Sequence, residues 1–83
     1  MTKKKTGTKA QPFDCVVLLE DLTLHASNTK LIRRGSRGAI VEAYTEPFEA
    51  YDIEFVDGLG NIIGLASAIK PEQFEVYWKN HRF

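Results

Sequence analysis

The chain has 83 residues, with 11 Lys/Arg balancing 11 Asp/Glu, one cysteine and 43% hydrophobic residues. That length allows one domain, and a unit this small commits most of its large apolar side chains to its own core, which argues against a deep catalytic cleft. A single cysteine excludes an internal disulfide and a multi-cysteine zinc site, and no stretch approaches the roughly 20 apolar residues of a membrane-spanning helix.

The balanced charge hides an asymmetry. Lys3, Lys4, Lys5 and Lys9 sit in residues 1–11, a segment without apolar periodicity that reads as a disordered arm. The remainder carries seven Lys/Arg against eleven Asp/Glu. An acidic folded part favours a protein partner of basic character over nucleic acid. No signal-peptide-like apolar run opens the sequence, so a cytosolic location is expected. The domain is expected over 12–78, with 79–83 as a short tail.

In chain order, Phe13 to Glu20 holds Cys15-Val16-Val17-Leu18-Leu19, a short β-branched run that reads as a buried strand. Asp21 to Lys30 is polar, with Ser27-Asn28-Thr29 as a loop signal and Leu22 and Leu24 tucked beneath it. Arg34 to Gly38 (RGSRG) is the clearest turn. Ala39 to Tyr44 follows as a strand, broken by Thr45-Glu46-Pro47. Tyr51 to Val56 alternates, with Tyr51, Ile53 and Phe55 on one face and Asp52 and Glu54 on the other. Asp57 to Asn61 is a hairpin loop, and Ile62 to Ala68 is the returning strand, with Gly64 hinting at a bulge. Lys70 to Gln73 reads as one helical turn with Pro71 at its first position. Phe74 to Trp78 is a last strand, with Phe74, Val76 and Trp78 on one face.

The expected fold is therefore mostly β: a small five-stranded SH3-like barrel with a short helical turn before the last strand, with an OB-type barrel as the main rival. Four stretches carry a resemblance. They are Val16 to Leu22, Arg34 to Tyr44 (RGSRGAIVEAY), Tyr51 to Asp57 with the following Gly60, and Ile69 to Phe74 (IKPEQF). In order and spacing they resemble the small bacterial domain-of-unknown-function family 4926. The resemblance implies a compact SH3-like domain without a defined activity, and a role as an antitoxin or immunity-type partner of a small toxin-like protein. The sequence departs from the family pattern in its longer first loop, in Ser36 where an acidic residue is common, and in its two terminal extensions.

Two surface constellations stand out. Glu42, Glu46, Glu49, Asp52, Glu54 and Asp57 place six acidic residues in one stretch without a Lys or Arg. With Phe48 beside them they form a candidate partner-binding surface for a basic protein, and a solvated polar face is the plainer reading. Arg33, Arg34 and Arg37 surround the glycine turn. Together with Lys30 and the Lys-rich arm they are candidate phosphate contacts for an RNA-binding barrel, or else simple charge partners of the acidic strip. Phe48, Trp78 and Phe83 are the aromatics expected to be exposed. His25 and His81 have no metal-ligand spacing to any carboxylate or cysteine, and Cys15 reads as an inert core thiol. Asp52 and Glu54 on an open strand face have nothing to separate their pKa values. No catalytic, cofactor or metal site is expected, and the chain reads as a non-catalytic binding module.

Overall fold

The computed structural model describes residues 9–25 and 29–80. Met1 to Thr8 with Lys3 to Lys5, the Ser27-Asn28 signal, and His81 to Phe83 lie outside the described residues. The chain forms β1 (Cys15–Leu18), β2 (Leu22–His25), β3 (Thr29–Ile32), β4 (Arg37–Tyr44), β5 (Ala50–Val56), β6 (Ile62–Ile69), a 3₁₀ turn (Pro71–Gln73) and β7 (Phe74–Trp78).

The fold is mostly β. Five strands make one antiparallel sheet in the order β6-β5-β4-β1-β7, and these are the five strands read from the sequence. The polar connection after β1 is not a plain loop. It forms a two-stranded hairpin, β2-β3, in which Leu22 stands opposite Ile32. The alternation of Leu22 and Leu24 is its signature, masked by the polar residues between and after them. The sheet stays open among the described residues, with β6 and β7 as its two edges.

The core lies between the inner sheet face and the hairpin. Val16 and Leu18 come from β1, Ile40 from β4, and Tyr51, Ile53 and Phe55 from β5. Ala66, Ile69 and Phe74 join from the last two strands, and Ile32 reaches in from the hairpin. The Tyr51 and Phe74 rings meet edge to face at 5.3 Å. Strand β1 buries only alternate residues, so Cys15 and Val17 face outward and are half-buried. The apolar run signals burial on one face and partial cover on the other, and Cys15 is not a core thiol.

Two glycines carry the β3–β4 turn in different ways. Gly35 has φ of +91°, which favours a residue without Cβ. Its N–H donates to the Leu18 carbonyl at 2.8 Å, and the Leu18 N–H donates to Ser36 at 2.9 Å, clamping the turn to the end of β1. Gly38 is already inside β4, where a Cβ would come 2.5 Å from the Glu54 carbonyl oxygen of β5.

Candidate functional site

The acidic residues divide by what they already hold. Glu42 stands opposite Asp52 across the β4–β5 ladder, and Glu54 stands opposite Ala39. All three lie on the outer face of the sheet. Asp52 is engaged: it accepts the Tyr44 hydroxyl at 2.9 Å and the Ala68 N–H at 3.1 Å. The first of these bonds, to a carboxylate, raises the Tyr44 pKa, because a phenolate there would face a like charge. Glu49 accepts the hydroxyl of the buried Tyr51. Asp57 caps the β5–β6 loop, accepting the Leu59 N–H at 2.8 Å and the Asn61 N–H at 2.9 Å. The Asn61 and then the Leu59 N–H stabilise its carboxylate and lower its pKa. Glu42, Glu46 and Glu54 have no side-chain hydrogen bond or ion pair among the described residues.

The structure thus brings Glu42, Asp52 and Glu54 onto one face and puts Glu46, Phe48 and Glu49 in the adjoining β4–β5 connection. Asp57 sits at the far end of β5 and belongs to a different turn. Phe48 is 57% exposed, and Val41 and Tyr44 in the second half of β4 are also exposed. The end of the sheet at this connection is therefore both acidic and apolar.

The basic residues gather at the opposite end. Arg33 is exposed between β3 and β4, and its carbonyl accepts the Ser36 N–H. Arg34, Ser36 and Arg37 share an open cleft of about 570 Å³ with Val56, Asp57 and Ile63. The Arg37 guanidinium lies 5.0 Å from the centre of the Tyr77 ring, a cation–π contact. Lys30 is not part of this group. Its ammonium donates to the Ile63 carbonyl at 2.8 Å and fastens the hairpin to β6.

Trp78 is 52% exposed and does not share the face of Phe74 and Val76. A register shift in β7 places it opposite Cys15, an outward residue, and leaves Tyr77 as the extra residue of a bulge. Period-two alternation cannot register a bulge and so sets Trp78 on the face of Phe74 and Val76, while its exposure agrees with the expectation for an aromatic near the end of the domain.

Sequence reasoning also passed over Asp14, the one buried charged residue among the described residues, with no solvent exposure. Its carboxylate accepts Lys79 Nζ at 2.8 Å, the Asn80 N–H at 2.8 Å and the Gln11 N–H at 2.8 Å. Lys79 also donates to the Lys9 carbonyl. Burial alone would raise the Asp14 pKa, but the Lys79 ammonium and the two N–H groups together outweigh it, and the pKa is lowered. Residues assigned to the arm and tail thus meet on one carboxylate. Only an isolated Asp before an apolar run hinted at this in the sequence.

The fold and surface define a small all-β domain with an outer sheet face that is acidic at one end and basic at the other. A model of the family described as "Domain of unknown function (DUF4926)" matches residues 13–76, and the chain belongs to this family. No curated protein and no solved structure matches the chain.

Proposed function

We propose that this chain is a non-catalytic protein-binding module built as an SH3-like barrel. The sheet order β7-β1-β4-β5-β6, the hairpin after β1 and the 3₁₀ turn before β7 support that reading of the fold. The observation that carries the function is the set of carboxylates left uncommitted. Glu42, Glu46 and Glu54 have no internal partner among the described residues; Glu42 and Glu46 lie toward the end of the sheet where Tyr44 and Phe48 are exposed, and Glu54 lies further along the same outer face. A mixed acidic and apolar surface fits a basic protein: the carboxylates steer the encounter and the aromatics supply buried area.

The partner class is a small basic protein, and the role is antitoxin or immunity-type, exercised in the cytosol. Titration calorimetry against the basic product of an adjacent gene tests it. Glu42→Lys with Glu46→Lys should weaken the complex at least tenfold while leaving the fold intact. No complex with such a product, or a complex indifferent to both reversals, removes this reading.

A second reading rests on the other end of the molecule, where Arg34 and Arg37 share a cleft and Arg37 rests on Tyr77. Arginine beside an exposed aromatic ring can take a phosphate and a stacked base of single-stranded RNA. Binding of this kind falls steeply with salt. Flat anisotropy with labelled single-stranded RNA at low salt eliminates it.

A further inference from the structure

The outer face of the five-stranded sheet can be written as rows across the strands. One row runs Ile62, Val56, Arg37, Val17, Glu75. The next runs Leu65, Glu54, Ala39, Cys15, Trp78. A third begins with Asp52 and Glu42. An uncovered antiparallel face is normally polar. This one is not: Ile62, Leu65, Tyr77 and Trp78 are all at least half exposed upon it, and its centre is Ala39 and Cys15. Exposed apolar side chains on both edge strands, with the small Ala39 and Cys15 between them, mark an interaction surface.

We infer that this face is covered by a second copy of the same chain, packed sheet on sheet about a two-fold axis lying along the Ala39–Cys15 row. The charges select that axis. Arg37 lies two positions from Ala39 on one side. Glu42 lies three residues away on the other, but the register shift between Ile40 and Glu42 removes one position from the ladder, so the two are equidistant from the row. An axis along the row turns one copy end over end and brings Arg37 of each onto Glu42 of the other. An axis parallel to the strands would instead set Arg37 against Arg37 and Glu42 against Glu42, which like-charge repulsion disfavours. Ala39, the smallest side chain on the face, lies on the axis and lets the sheets approach.

The same axis has a consequence that tests it sharply. Glu54 lies in the central row, so it faces its own counterpart, as do Cys15 and Trp78. Two carboxylates meeting there oppose association, and Glu54→Gln should tighten the dimer. Cys15, half-buried and free, should be joined to its counterpart by a short bismaleimide. The proposal is independent of the basic partner. Glu42 serves both surfaces, so the second copy and the partner exclude one another.

The experiment is sedimentation equilibrium of the full chain alone, so its outcome does not depend on any partner. A concentration-dependent dimer is expected. Arg37→Glu and Glu42→Arg should each raise the dimer Kd at least tenfold, the double variant carrying both should recover to within about threefold of the parent, and Glu54→Gln should lower it at least threefold. Because Arg37 also contacts Tyr77, the Glu42→Arg and Glu54→Gln variants, which keep Arg37, decide the matter if Arg37→Glu unfolds the chain. A monomer at every concentration overturns the proposal. So does a dimer unmoved by Glu42→Arg, a swap that fails to recover, or weaker association on Glu54→Gln.

Discussion

The Lys79 ammonium sits 2.8 Å from the fully buried carboxylate of Asp14, across 65 residues of sequence. The pair lies where the chain enters β1 and where it leaves β7, two strands that are neighbours in the sheet. Gln11 and Asn80 add backbone N–H groups to the same carboxylate. The arrangement closes both ends of the folded unit on a single anion.

Removing one member of a buried charged pair leaves the other without compensation and costs about 3 kcal/mol or more. Asp14→Ala should fall in that range, because it also orphans two N–H groups. Lys79→Met should cost less, since its side chain is 30% exposed and the carboxylate keeps its backbone donors. Urea unfolding curves, compared at constant m-value, measure both. A Lys79→Met variant that loses more stability than Asp14→Ala contradicts this ordering.

The pH dependence follows from the direction of three shifts. The folded-state pKa values of Asp14 and Asp57 are depressed below 3.8, so the stability they contribute is fully present above that value and is lost as pH falls through the folded pKa. The Tyr51 pKa is raised, by burial first and then by its bond to Glu49. Its contribution is intact below pH 10, the ordinary phenol value, and declines as pH rises beyond it. The urea midpoint should therefore hold level between these limits, as far as these three groups decide it, and drop on both sides. Asp14→Asn should flatten the acid limb, and Tyr51→Phe the alkaline one.

Gly38 and Gly64 separate two kinds of close approach. A Cβ at Gly38 would meet the Glu54 backbone oxygen at 2.5 Å, and backbone in a central ladder cannot move without breaking register. A Cβ at Gly64 would meet Leu24 Cδ1 at 2.9 Å, the end of a side chain with other rotamers. Gly38→Ala should lower stability by about 3 kcal/mol or prevent folding, and Gly64→Ala by about 1 kcal/mol. Thermal melts followed by circular dichroism give the comparison, and equal losses would show that the two neighbours yield alike.

These positions also show how far the sequence could be read. The alternation of Tyr51, Ile53 and Phe55 gave β5 and its buried face directly, because a strand's period is insensitive to its neighbours. The five strands of the main sheet, the hairpin loop at Asp57 and the helical turn at Pro71 were legible for the same local reason, whereas the β2–β3 hairpin read as a loop. Gly38 was visible as a glycine, but its purpose lies in the approach of β5, which sequence does not display. The outward turn of Trp78 depends on a bulge, and the Asp14–Lys79 pair on a contact between the two ends. The acidic strip was legible as charge. Its division into committed Glu49, Asp52 and Asp57 and uncommitted Glu42, Glu46 and Glu54 required the hydrogen bonds.

That division governs the last prediction. Ala68 has φ of 59°, a left-handed conformation that an L-residue with a Cβ adopts at a cost of about 1 kcal/mol. It lies in the β6 stretch that faces Asp52 where the β5–β6 register shifts, and its N–H is held by the Asp52 carboxylate at 3.1 Å. Asp52→Ala removes that bond and the one from Tyr44, and should cost about 1 to 2 kcal/mol. Ala68→Gly relieves the strain but adds freedom to the unfolded chain, leaving a net gain of about 0.5 kcal/mol. Glu42→Ala, one strand away and without an internal bond among the described residues, should move stability by less than about 0.5 kcal/mol. If Asp52 supports the bulge, Ala68→Gly should recover part of the Asp52→Ala loss, because glycine needs less help to hold the left-handed turn. Strict additivity of the two changes in a double-mutant cycle would mean that the carboxylate does not hold the turn. Equal losses from Asp52→Ala and Glu42→Ala would erase the distinction between the committed and uncommitted carboxylates.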